Sequence, residues 1–332
     1  MSLKTGLIGL GHLGKIHLRC LLQVKEIELI GIYDLDAALS AKLSAEFGVK
    51  AYESQEELIN ACDAIDIVSP TTTHFEIAIK ALEAGKHLFV EKPVVNTPEE
   101  ADILTALATQ KGTIIQVGHV ERFNPAYLAL ENVALNPLFI EAHRLAEFNP
   151  RGTDVPVVLD LMIHDLDIVL QLIKSEIKSI SASGVCVVSD TPDISNVRIE
   201  FENGAVANIT ASRMALNKMR KMRVFQRDAY IAIDFLEKQA QIIRLESPSD
   251  NNECQGMELH TNEGKKCLIF DVPKIPQINA IEEELRSFAH AVLFDKPIAV
   301  PLSDAVRALK VAHQIVAQIE ARNELVAEKW NF

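Results

Sequence analysis

The sequence predicts an α/β fold that begins with a doubly wound parallel sheet and runs on into a second, strand-rich part. Two observations carry this. Up to about residue 120, short runs of Ile, Val and Leu alternate with helix-like stretches, the pattern of strands covered by helices on both faces. Beyond about residue 177, strand-like segments follow one another closely and end in two helical ones.

In chain order, the apolar runs are TGLIG (5–9), IELIGIYD (27–34), AIDIVSP (64–70), KHLFVEK (86–92) and TIIQVGH (113–119). Helix-like stretches lie between them, near 14–24, 36–47, 55–61, 74–84 and 98–110. Ser54-Gln-Glu-Glu57 and Thr97-Pro-Glu-Glu100 fit capping boxes at two helix starts, the second with proline at the first helical position. In the second part, segments 177–188, 195–202, 205–212, 221–227, 229–235 and 239–245 read as strands, with a hairpin turn at Phe201-Glu-Asn-Gly-Ala205. Helices follow near 278–293 and 303–321, the second with Ser303 as its cap and the apolar pattern Val306, Leu309, Val311, Ala312, Ile315 and Ile319.

A chain of 332 residues, 48% hydrophobic, has ample core for two domains. Its net charge of −13 disfavours nucleic acid and anionic membrane as partners. No run of 18 apolar residues occurs. The five cysteines are odd in number and form no C-x-x-C pair. Reduced thiols in a cytoplasmic protein are therefore expected, rather than a disulfide framework or a zinc site.

GLGHLG, residues 9–14, directly follows the first strand and opens the first helix. Gly9 permits the tight turn, Gly11 admits a pyrophosphate close to the backbone, and Gly14 lets helix and strand pack closely. His12 and Leu13 complete the loop, and the helix N-terminus offers N–H groups to the phosphates. Asp34, twenty residues after Gly14, ends the second strand. A carboxylate there accepts from ribose hydroxyls and repels a 2′-phosphate; with no arginine following, the cofactor expected is NAD rather than NADP.

Ligands in such a sheet sit beyond the carboxyl ends of the strands. Pro70 and Thr71 stand at one such end and are candidates for the nicotinamide side, while His74 is either a ligand contact or part of the next helix start. Glu91-Lys92-Pro93 stands at another end, where Pro93 keeps Lys92 out of helical geometry and allows a cis bond. Lys92 there reaches the space in front of a nicotinamide.

LDLMIHDLDIVL, residues 159–170, is a mostly apolar helix with a polar seam. At about 100° per residue, Asp160, His164 and Asp167 share a sector of roughly 60°, and Asp165 points away from it. Buried carboxylates and imidazoles are costly unless paired or used. A His–Asp pair that only satisfies itself is the structural alternative to a catalytic one.

Taken together, GLGHLG, Asp34, Pro70-Thr71 with His74, Glu91-Lys92-Pro93 and Asp160-x-x-x-His164-x-x-Asp167 resemble the Gfo/Idh/MocA family of NAD(P)-dependent sugar and polyol oxidoreductases. The resemblance implies an NAD-binding Rossmann domain over 1–120. It implies an α+β substrate-binding and oligomerisation domain over 121–332, with an open, mostly antiparallel sheet. The last helix, about 303–321, is then expected to pack back on the Rossmann domain, and the sheet to join a homodimer or homotetramer. The family often has a glycine between its Asp and His, where this chain has Met162. VGHVERFNPA (117–126) with LDLMIHDLD narrows the likeness to members that oxidise C3 of a nucleotide sugar, UDP-N-acetylglucosamine first among them.

Oxidising a secondary alcohol requires a base for the hydroxyl proton and an acceptor for the hydride. His164 is the expected base, Asp160 one turn earlier orients it, and Lys92 stabilises developing alkoxide. Asp167 is read as structural. Arg122, Asn124 and Tyr127 join Lys92 and His164 as expected substrate contacts, with Glu91 and His74 on the cofactor side. No metal is expected. Arg213, Lys218, Arg220, Lys221, Arg223 and Arg227 form a basic run suited either to a pyrophosphate, or to a solvated edge or an oligomer contact with an acidic partner surface. Rival readings are a dehydrogenase of another sugar, an inositol or a UDP-uronic acid, and a non-catalytic NAD(H)-binding regulatory protein.

Overall fold

The computed structural model describes residues 1–149, 155–246, 254, 256–261 and 264–330, with side chains to 325. It divides into two compact units, one of Met1–Phe123 with Ile278–Lys310, the other of Asn124–Gln277 with Val311–Phe332. The first unit thus takes in residues beyond the 1–120 stretch read from chain order.

The first unit holds five parallel strands, β1 (Leu3–Ile8), β2 (Ile27–Tyr33), β3 (Ala64–Ile67), β4 (His87–Glu91) and β5 (Ile115–Gly118). Their order is β2-β1-β3-β4-β5. The connecting helices are α1 (His12–Leu21), α2 (Ala37–Phe47), α3 (Gln55–Ala61), α4 (Thr71–Glu83) and α5 (Pro98–Lys111). The capping boxes read from sequence are half and fully realised: Ser54 caps α3 by accepting from Glu57 N–H, and Thr97 and Glu100 cap each other's backbone at α5. Strands β3 and β5 are buried throughout, as their continuous apolar runs require. The first unit also contains α8 (Ala280–Phe294), whose Phe288 meets Phe89 of β4 edge-on at 5.9 Å.

The second unit is built on a nine-stranded sheet, β13-β14-β12-β11-β10-β6-β9-β8-β7. Its strands are β6 (Phe139–Leu145), β7 (Ile177–Val185), β8 (Ile194–Phe201), β9 (Val206–Ser212), β10 (Met219–Phe225), β11 (Ala229–Asp234), β12 (Gln239–Glu246), β13 (Met257–Thr261) and β14 (Gly264–Asp271). Every pairing is antiparallel except that of β6 with β9. One face is buried: β8 alternates Ser195, Val197, Ile199 and Phe201 inward with polar neighbours outward. The short α6 (Pro125–Leu128) precedes the sheet. Helix α9 (Leu302–Trp330) has its first nine residues in the first unit and the rest in the second.

The polar-seam helix is not regular. Val158–Met162 forms a π turn, in which Ile163 N–H reaches Val158 C=O five residues back, before α7 (Ile163–Leu172) proceeds as an α-helix. Cys254 and Cys267 form a disulfide with Cα atoms 5.5 Å apart, correcting the expectation that all five cysteines are reduced. An odd total excludes full pairing, not a single bridge across neighbouring segments. No helix among the described residues is long and apolar enough to cross a membrane.

Candidate active site

In a sheet of parallel strands all carboxyl ends lie along one edge. Gly9 follows β1, Asp34 follows β2, Pro70 follows β3 by three residues, and Lys92 follows β4. The strand order therefore sets Asp34, the glycine loop, Pro70 and Lys92 in a row.

The three glycines differ in what they permit. Gly9 has φ of +97°, and a Cβ there would stand 2.5 Å from Ser69 N. A Cβ on Gly14 would stand 2.0 Å from Gly9 O, so helix and strand approach as closely as glycine allows. Gly11 has nothing within 4 Å of its Cβ position and is exposed together with His12 and Leu13. Helix α1 begins at His12 with no side-chain cap and no acidic residue in its first turn. Asp34 Oδ2 accepts from Leu10 N–H at 2.6 Å and Oδ1 from Asp36 N–H at 2.9 Å, which fixes the carboxylate against the loop. A packed turn, an open approach at Gly11, an uncapped helix N-terminus and a fixed carboxylate fit a dinucleotide with free ribose hydroxyls.

Lys92 is half-buried and its peptide bond to Pro93 is cis. Pro70 directly precedes α4, and Thr71 is its first residue. His74 is buried in the first turn of α4, its Nδ1 3.0 Å from Pro93 O and its Nε2 2.8 Å from Ser69 O. Burial lowers its pKa against these carbonyl contacts. The ring ties two strand-end segments together, in keeping with the helix-start alternative read from sequence. Glu91 likewise turns inward: Oε1 lies 3.2 Å from His17 Nε2, and Oε2 accepts from Lys92 N–H at 3.1 Å. Among the described residues, His17, Glu91 and Glu284 each bring one potential ligand atom within 4.8 Å of the others, close enough to share a cation or protons.

The expected substrate contacts fare unevenly. Arg122 is buried, and its Nη1 donates to Asp304 Oδ2 at 3.0 Å and to Ala299 O at 3.1 Å. Asn124 is buried, caps α6 through Ala126 N–H and donates to Phe235 O. These bonds hold each side chain within its own unit; for Arg122 the partner is a carboxylate, an ion pair being the other role its position allowed. Tyr127 is half-buried, donates to Gln171 Oε1 at 2.7 Å and stacks on Phe235. Asp160 and His164 are half-buried and Asp167 is buried.

Sequence reasoning missed Asp165. It points away from the polar seam into the interior, where it takes a bidentate pair from Arg144 of β6, Nε to Oδ2 at 2.8 Å and Nη2 to Oδ1 at 3.0 Å. The basic run is largely paired with acids of the same unit: Lys218 with Glu147, Lys221 with Asp234, Arg223 with Glu141, and Arg213, more loosely, with Asp193. Pairing within the unit, which the sequence reading did not foresee, leaves less free positive charge there for a pyrophosphate.

The sequence profile of an oxidoreductase family with an NAD-binding Rossmann fold matches residues 3–119, and that of the GFO/IDH/MocA C-terminal domain matches 142–232. The chain is 34% identical to the UDP-N-acetylglucosamine 3-dehydrogenase of Acidithiobacillus ferrooxidans, over 97% of this chain and 98% of that one. A solved structure of that enzyme superposes with a TM-score of 0.85 at 33% identity, covering 97% of this chain and 99% of that one. The myo-inositol 2-dehydrogenase of Thermotoga maritima is 25% identical over 98% of this chain and 99% of its own. With both family domains in order and a relative matched end to end, this chain belongs to the Gfo/Idh/MocA family of NAD-dependent oxidoreductases acting on CH–OH groups.

Proposed function

We propose that the protein oxidises C3 of UDP-N-acetylglucosamine to the 3-keto nucleotide sugar. The observation that carries this is the end-to-end match, in sequence and in backbone, to an enzyme of that name. The inositol dehydrogenases among its relatives keep a free polyol as the second reading.

NAD, when bound, supplies the hydride acceptor. The chain's own residues hold the cofactor and manage the proton. Gly9, Gly11, His12, Leu13 and Gly14 hold the pyrophosphate against the start of α1, and Asp34 accepts from the ribose. Pro70 and Thr71 flank the ring. Lys92 donates to the reacting oxygen, and His164, oriented by Asp160, takes the hydroxyl proton. Tyr127 contacts the sugar. Arg122 and Asn124 act indirectly, by holding the backbone that precedes and follows Phe123.

Lys92→Met and His164→Ala should each lower kcat by about 10²–10⁴-fold with UDP-N-acetylglucosamine, read from nicotinamide absorbance. Wild-type turnover in both variants would refute the assignment, and turnover of inositol but no nucleotide sugar would favour the second reading. A homo-oligomer through the nine-stranded sheet belongs to the same proposal. Its support is the exposed apolar set Ile194, Phe225, Leu245, Met257 and Phe270 on the sheet strands, and a monomer by light scattering would exclude it. A cytoplasmic location rests on the free thiols of Cys20, Cys62 and Cys186, with the Cys254–Cys267 disulfide weighing against it, and cell fractionation tests it.

A further inference from the structure

Four ionisable side chains from four elements meet inside the first unit: His17 of α1, Asp66 of β3, Glu91 of β4 and Glu284 of α8. His17 Nδ1 lies 2.9 Å from Asp66 Oδ2, and Nε2 lies 3.2 Å from Glu91 Oε1. His17, Asp66 and Glu284 are 0% exposed. Neither carboxyl oxygen of Glu284 has a hydrogen-bond partner.

We infer that this is a proton-sharing cluster that positions Lys92, in which Glu284 is a neutral acid turned toward Glu91 and Glu91 holds the Lys92 backbone. The inference rests on the reading that Lys92 acts at the alcohol. Three carboxylates around a neutral imidazole would bury a charge of −3 within a few ångströms. Carboxylate oxygens on both ring nitrogens make His17 a doubly protonated imidazolium, bringing the sum to −2. Two carboxylates this close do not both ionise at low cost. Asp66 and Glu91 already face a donor and Glu284 does not, so the next proton belongs on Glu284, leaving −1. The electrostatics agree. Burial opposes the His17 charge, but Asp66 and Glu91 outweigh it and raise its pKa well above the ordinary value. Burial first, then Glu91, raises the Glu284 carboxyl well above its own.

The cluster is mechanically fixed. Gln116 Nε2 donates to the Glu284 carbonyl at 2.8 Å, so α8 cannot turn that side chain away. On the far side, the Glu91 carboxylate rests on Gly118, where a Cβ would stand 2.6 Å from its Oε1. Its other oxygen takes Lys92 N–H. A shift in Glu91 therefore moves Lys92, and misplacement by about 1 Å can cost ~10²-fold in rate.

The test compares Glu284→Ala, Glu284→Gln and Glu91→Gln with wild type in three measurements: kcat and its pH profile, NAD affinity by fluorescence, and urea stability from pH 5 to 9. Elemental analysis of each purified protein accompanies them. A carboxyl with a raised pKa adds stability that is present below its ordinary pKa and lost as pH rises. Wild type should therefore lose stability across this range, and Glu284→Gln should lose less, with His17, Asp66, Glu91 and Cys20 as the other titrating groups facing the site. Glu284→Ala and Glu91→Gln should lower kcat by about 10-fold or more with NAD affinity within about threefold, and Glu284→Gln should recover most of the Glu284→Ala loss. In Glu91→Gln the basic limb of the kcat profile should move to lower pH, because a negative charge beside Lys92 is gone. An unmoved profile with unchanged kcat in Glu91→Gln would overturn the positioning role. Equal damage from Glu284→Gln and Glu284→Ala, or a stoichiometric divalent cation lost in Glu284→Gln, would overturn the shared protons. Absence of sugar turnover in wild type would sink the proposed function instead, while the pH dependence of stability would still read the cluster.

Discussion

Asp165→Ala should be the most damaging single change near α7. Its carboxylate and the Arg144 guanidinium are 2% and 4% exposed, and their two hydrogen bonds are parallel and short. Removing the carboxylate leaves a cation in the interior without its bidentate partner, at a cost of about 3–5 kcal/mol. That is roughly 10²–10⁴ in the equilibrium for local opening. Hydrogen exchange of peptides covering β6 and α7 should show the loss there, with the first unit unchanged. The double variant Arg144→Met/Asp165→Leu buries no charge and should recover most of the stability. Asp165 adjoins His164, so kcat should fall in the single variant as well. A single variant within about 1 kcal/mol of wild type, or a double variant as unstable as the single, would refute the claim that the pair anchors this helix.

Asp34→Asn keeps the size of the side chain but removes its charge. It should weaken NAD binding about 10-fold, the scale of one charge-assisted hydrogen bond, and raise relative affinity for NADP; an unaltered preference in parallel titrations would discount Asp34 as the ribose acceptor. Asp193 behaves differently because burial is overcome by backbone N–H groups of Val187, Val188 and Ser189, which bring its pKa down to about 2. Its contribution, about 2 kcal/mol by linkage, is present above the ordinary value near 3.8 and lost as pH falls toward 2. Asp193→Asn should thus be less stable than wild type at pH 7 and converge with it in acid unfolding, and a constant gap down to pH 2 would contradict this.

Much of the first unit was legible because each signal was local and redundant. The runs that became β1 to β5 are mostly apolar, the capping boxes sit beside them, and Gly9 and Gly14 are dictated by backbone approach alone. The second unit hid more. Strand β6 alternates Ile140 and Ala142 inward with Arg144, which is buried only because Asp165 meets it; sequence pattern alone reads such an arginine as surface. Asp165 was given no role for the same reason: its partner, Arg144, lies on a strand some twenty residues earlier. Arg122, His74 and Glu91 were read from their place beside the strand ends, but their side chains turn to partners far away in sequence, Asp304, Pro93 and His17. Glu284 carried no signal at all on its amphipathic helix. Its importance comes from the three other ionisable groups that the fold packs against it.

The π turn at 158–162 also limits how this segment can be altered. It contains one residue more than an α-helix needs to span the same rise. Deleting that residue would regularise the helix, and standard propensity arguments would favour the shorter chain. The repair would swing everything upstream, Asp160 included when the deletion falls after it, by about 100° relative to His164. The irregularity is thus a length constraint, one that alignment-guided trimming or loop grafting would breach while seeming to improve the protein.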